Sequence, residues 1–146
     1  MALWFPQSSV AEQLPIKNYT TADGLVHGRV SKIVRDSHGF LWFCTYDGLS
    51  RFDGNNFVNY GPGDGLIHGR VNDLAESRDG TYWVATNQGL SSFSPARDSR
   101  HSVAPASANS NHSLFTNYTL GENQGATDPN ILATRVFDAV LAGIGK

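Results

Sequence analysis

Two identical triplets, His27-Gly28-Arg29 and His68-Gly69-Arg70, stand 41 residues apart in this 146-residue chain, and Arg135 follows later. Arginine presents a planar fork of donors that matches a carboxylate, sulfate or phosphate group. Tyr46-Asp47 and Asn87-Gln88 are a second pair of polar positions, again 41 apart. Gathered on one face, these side chains could bind a small anionic ligand. The competing reading pairs each arginine with a local acid, Asp23 or Asp64, as a brace for its loop. His27 and His68 could also be metal ligands. Two histidines so far apart, with no carboxylate partner motif, make a poor metal set, and neither metal nor cofactor is expected.

Catalytic patterns are missing from the sequence. It has no nucleophile elbow, no phosphate loop, no His-Glu-x-x-His and no cysteine pair. None of its five histidines sits in the acidic, helical context of a phospho-accepting histidine, and there are no ATP-binding glycine boxes. The expectation is a non-catalytic chain. A fold alone does not exclude an active site built from loops.

Such residues must be positioned by repeated elements. Between residues 18–54 and 59–95 there are 16 identities in 37 ungapped positions. Chance would give roughly two at ordinary composition. The shared residues include Asp23-Gly24-Leu25 with Asp64-Gly65-Leu66, Gly39 with Gly80, Trp42 with Trp83, Thr45 with Thr86, Gly48-Leu49-Ser50 with Gly89-Leu90-Ser91, and Phe52 with Phe93. A third copy starts at Arg135-Val136, with Gly145 nine residues after the valine. Its shift from the second copy is 65 instead of 41, so 24 residues have been inserted.

A period near 41 fits four short strands and their turns, the unit of a β-propeller blade. Val30–Asp36, Phe40–Tyr46, Leu49–Phe52 and Phe57–Tyr60 read as strands, parted by Asp-Ser-His-Gly, Asp-Gly and Asp-Gly-Asn-Asn turns. The fold expected is all-β: a propeller fragment of about two four-stranded blades plus the start of a third. Blade 1 takes about 30–60. Blade 2 takes about 71–119, with a mobile insertion at 94–113 ahead of an outer strand at 114–119. Partial blade 3 takes about 131–146 within a propeller unit of 16–146. Repeat register makes 135–142 an inner strand. Asp128-Pro129, with Leu132, Val136 and Val140 as a stripe, leaves a helix as the alternative. Ile16–Thr20 matches the outer strand Phe57–Tyr60 and could complete a last blade, closing the ring.

The pattern Asp-Gly-Leu…Asp-x-x-Gly-x-x-Trp-x-x-Thr-x-x-Gly-Leu-x-x-Phe, seen at 23–52 and, with Ser77 for the turn aspartate, at 64–93, resembles the two-component regulator propeller repeat. The resemblance implies propellers of about seven blades in the extracytoplasmic region of bacterial membrane sensors, continuing into a histidine kinase or another output module. Some members sense breakdown products of polysaccharides. The implied role is a ligand-sensing input domain, periplasmic and part of an inner-membrane-anchored receptor. Its partners would be the remaining blades, the signalling module, an oligosaccharide or other small ligand, and a second copy in a homodimer. The alternatives are a structural or dimerising scaffold and a fragment of a polysaccharide-acting propeller enzyme. Departures from the family pattern include Cys44 and Ala85 where glycine is usual.

In a propeller the His-Gly-Arg loops and the Tyr46-Asp47 and Asn87-Gln88 turns open on one face beside the central channel. Trp42 and Trp83, one per blade in identical register, suit a core between stacked sheets better than a ligand platform. Composition agrees with these expectations. The net charge of -2 gives no basic face for nucleic acid. Cys44 is the single cysteine, so no internal disulfide forms. No run approaches the ~18 apolar residues of a membrane helix. Residues 1–15 form an N-terminal segment in which Ser9-Val10-Ala11 has the small-x-small form of a signal-peptidase site. Residues 1–11 read either as the tail of a clipped signal peptide or as a frayed start.

Overall fold

Turn residues cut the chain into strands too short to be anything but hairpins. In the computed structural model, which describes residues 14–95 and 113–119, these are β1 (Val30–Arg35), β2 (Leu41–Thr45), β3 (Gly48–Phe52), β4 (Phe57–Tyr60), β5 (Val71–Glu76), β6 (Tyr82–Thr86), β7 (Gly89–Phe93) and β8 (Thr116–Tyr118). They form two antiparallel four-stranded sheets, ordered β1-β2-β3-β4 and β5-β6-β7-β8. Each is one blade. The expected third blade, Arg135 and most of the insertion lie outside the described residues.

The two blades share their register. Val30 opposes Thr45 and Val71 opposes Thr86, each followed by a bulge at Ser31 or Asn72. The tight β2–β3 and β6–β7 turns need glycine. Gly48 (φ 132°) and Gly89 (φ 143°) lie in the left-handed region, and a Cβ on either would stand 2.6 Å from the carbonyl oxygen of Tyr60 or Tyr118. Leu49 opposes Tyr60 as Leu90 opposes Tyr118. The outer strands therefore stand 58 residues apart, so 17 of the inserted residues precede β8.

Alternation along the strands gives each sheet two faces. Blade 1 turns Trp42, Cys44, Leu49 and Tyr60 towards blade 2, which answers with Leu74, Tyr82, Val84 and Phe93. The Trp42 ring lies 5.1 Å from Tyr82 and 5.7 Å from Phe93. This interlocked aromatic layer is the main core, and it explains why β5 is largely buried while β1 is open. Burial pushes the Cys44 thiol up to about 12, helped by the nearby Asp73 carboxylate. It is therefore a packed, protonated side chain. Trp83 is only half-buried, packed with Ala75, Ala85 and Leu90, because among the described residues no third sheet covers it. Ile16–Thr20 forms no strand; Tyr19 packs edge-on against Phe52 (4.8 Å) and Phe57 (5.7 Å).

Candidate functional site

Each inter-blade loop is set by a short 3-10 turn and a buried leucine. In the first, Thr20 donates to Asp23 Oδ2 from its backbone N–H (2.8 Å) and its hydroxyl (2.9 Å). These bonds hold the exposed Asp23 carboxyl below its usual range, the backbone one contributing most. In the second, Gly61 N–H donates to Asp64 Oδ2 at 2.9 Å. Leu25 and Leu66 then plug into the sheets. A serine–asparagine clamp fixes each loop just past its leucine. Ser50 Oγ accepts from Val26 N–H and donates to Asn59 Oδ1, while Asn59 Nδ2 donates to the Gly24 carbonyl. Ser91, Asn117, Ile67 and Gly65 repeat the arrangement in blade 2.

The loops then deliver the triplets. Arg29 N–H donates to His27 Nδ1, and Arg70 N–H to His68 Nδ1, both at 3.0 Å. A neutral ring that accepts at Nδ1 carries its proton on Nε2. Tyr46 N–H donates to the Arg29 carbonyl and Asn87 N–H to that of Arg70, each at 3.2 Å. The loops and the β2–β3 and β6–β7 turns thus meet at one end of the blades.

At that end Tyr46 is the centre. Arg29 lies with its guanidinium carbon 5.0 Å from the ring centroid, and Arg70 with its own at 4.2 Å. Arg70 Nη2 donates to the Tyr46 hydroxyl at 3.0 Å, and the His27 ring stacks nearly parallel at 6.3 Å. Asp47 is exposed beside Gly69, where a Cβ would come 3.3 Å from its Oδ1. Blade 2 has no equal. Its turn carries Asn87 where blade 1 carries Tyr46, and Asn87 accepts from Asn72 within its own blade at 3.0 Å. Gln88 is exposed, its N–H donating to Thr86 Oγ1. His27, Arg29, Tyr46 and Arg70 are therefore brought together, with Asp47 beside them. His68, Asn87 and Gln88 extend the same end along blade 2.

The expected acid braces are not what holds the arginines. Asp23 is spent on its own turn, and the ion pairs of the described residues involve neither Arg29 nor Arg70. An aromatic face replaces the carboxylate, which suits an exposed guanidinium because stacking leaves its N–H edge free for a ligand. Among the described residues no group of three or more His, Cys, Asp or Glu is placed to hold a metal.

A second polar cluster lies at the other end, and its role did not show in the sequence. Asp36 Oδ2 accepts from Trp42 Nε1 and from the Tyr82 hydroxyl of blade 2, both at 2.8 Å. Its Oδ1 accepts from the N–H groups of His38 and Phe40. Burial would raise this carboxyl, but the four bonds outweigh it and hold it below its usual range. Burial and Asp36 together push the Tyr82 phenol up. A cleft of about 470 Å³ opens here beside Arg51, Asp79 and Pro95. With both Asp36 oxygens occupied, this is a structural joint between blades.

Two stacked four-stranded antiparallel sheets with this register are two blades of a β-propeller. Both copies of the repeat are two component regulator propeller repeats: the family model of that description matches residues 24–47 and 65–88. Among solved structures, the extracellular domain of BT3049 from B. thetaiotaomicron, described as a hybrid two component system, is similar at 23% identity and a TM-score of 0.54, over 82% of this chain and 15% of that one. The extracellular domain of BT4673 from the same organism follows at 18% identity and a TM-score of 0.53, over 74% and 13%. These likenesses show the fold. The chain spans about one seventh of the length of the structures it matches. No curated protein matches it. Among the described residues no helix is long and apolar enough to cross a membrane.

Proposed function

We propose that the chain is part of an extracytoplasmic, ligand-sensing propeller of a bacterial two-component receptor, with no catalytic role of its own. The face around Tyr46 is its ligand-reading face, and the ligand is a small anion-bearing molecule such as an acidic oligosaccharide. One observation carries this reading: Arg29 and Arg70, from successive loops, converge on one tyrosine, and neither is in an ion pair among the described residues. Both guanidinium carbons lie within 5.0 Å of the same ring centroid, and a guanidinium offers forked donors to a carboxylate or sulfate. The extracytoplasmic placement rests on the family and on the extracellular domains that share the fold.

The Arg70–Tyr46 contact also joins two blades, which favours a second reading as a brace in a scaffold. Calorimetry of the full chain with acidic and neutral oligosaccharides, and with inorganic sulfate as the minimal probe, separates them. The sensing reading expects heat from the acidic series and a loss of affinity of about tenfold or more in Arg70→Gln. No heat from any acidic probe, with Arg70→Gln lowering only the unfolding midpoint, leaves the brace.

A further inference from the structure

The two turns at the end of the blades that carries Tyr46 are built alike. Thr45 Oγ1 accepts from Asp47 N–H at 3.2 Å and donates to the Gly48 carbonyl at 2.8 Å. Thr86 Oγ1 holds Gln88 and Gly89 in the same way, at 3.2 Å and 2.9 Å. Asp47 and Gln88 therefore occupy matching exposed places and differ in chemistry. A carboxylate is charged and only accepts hydrogen bonds, whereas an amide is neutral and also donates. Asp47 stands directly after Tyr46, the ring that both arginines share. It also lies against Gly69, the residue before Arg70: a Cβ on Gly69 would come 3.3 Å from Asp47 Oδ1 and 3.6 Å from its Cα.

Among the described residues, no hydrogen bond or ion pair engages the Asp47 carboxylate. Its surroundings offer donors: the two guanidiniums, and the Tyr46 hydroxyl, which accepts from Arg70 and keeps its own proton to donate. Two guanidiniums and one carboxylate leave a single positive charge, which a monoanion balances. A ligand with one carboxylate satisfies the arginines, and Asp47 then takes a hydrogen-bond donor beside it. We propose, resting on the ligand-reading face assigned above, that Asp47 sets its specificity by accepting from a hydroxyl next to the ligand's carboxylate. The ligand class is then a hydroxylated carboxylate, an acidic sugar, in preference to a bare carboxylate or sulfate.

NMR titration of the full chain with galacturonate and with acetate tests this, because the two probes share a carboxylate and only the first has hydroxyls. Asp47→Asn suits the same turn and, at an exposed position, should not move the unfolding midpoint. Comparing the two probes in wild type and variant forms a cycle that isolates the hydroxyl contact. Wild type should favour galacturonate over acetate, and Asp47→Asn should cut that preference about tenfold. Its affinity for acetate should rise slightly, since a like charge is gone. A rise of the same size for both probes means that Asp47 only balances the arginines; it overturns the proposal and leaves the ligand-reading face standing. An affinity for both that does not change does the same. No shift with galacturonate in wild type removes the face itself, and the role of Asp47 with it.

Discussion

Trp42 and Trp83 hold the same place in two blades that share their register, yet Trp42 is buried and Trp83 is half-exposed. The two turns ahead of them differ as well. Asp36 reaches across to Tyr82, whereas Ser77 bonds within its own turn, to Asp79 and the Thr81 carbonyl. In a stacked repeat, then, a residue's energetic weight is set by the neighbouring sheet as much as by its own strand. Blade 1 is stabilised by what it touches in blade 2, and blade 2 by what it touches on one side.

The tryptophan pair gives the sharpest way to break this comparison. Trp42→Ala should cost about 3–5 kcal/mol in urea unfolding, as for other large buried aromatics. Trp83→Ala should cost about 1–2 kcal/mol, because less apolar surface is returned to water. Equal losses would mean that Trp83 is covered to the same extent as Trp42.

Asp36→Asn comes next, with a loss of about 2–3 kcal/mol near neutral pH, since an amide cannot accept all four bonds. Its pH dependence has a definite sign. The carboxyl is lowered in the fold, so its contribution is complete above the unfolded value of about 3.9 and fades as pH falls through the folded one. Asp36→Asn should therefore flatten the acid limb of the stability profile, and Ser77→Ala, which removes one bond from the exposed Asp79 carboxyl, should flatten it less. The smallest effect belongs to the partly exposed Lys32–Asp73 pair, where Lys32→Ala should cost under about 1 kcal/mol and less at high salt.

Most of the architecture was legible because it repeats. The turn glycines, the tryptophans and the Gly-Leu-Ser strand starts recur at 41 residues and set the strand register. The outer strand of blade 2 was legible too, since Phe-Thr-Asn-Tyr at 115–118 repeats Phe-Val-Asn-Tyr at 57–60. What did not show was whatever breaks the repeat. Tyr82 stands where blade 1 has Leu41, so nothing marked it as the partner of Asp36, 46 residues away. Tyr46 was visible as a turn residue but not as the ring that both arginines share. Nearby acids looked like the natural partners, and Asp23 was already committed to Thr20. Arg51, buried against the Phe40 ring, gave no signal because its counterpart is Ser92.

The serine–asparagine clamps have a consequence for how such a chain can change over time. Ser91 and Asn117 hold the blade-2 loop as Ser50 and Asn59 hold the first, although one pair is separated by 26 residues and the other by 9. The clamp is indifferent to the length of what it spans. Sequence can accumulate or be lost between the third and fourth strands while the loop stays anchored. Lineages are thus free to elaborate the rim of a blade without retuning the residues that a ligand would meet.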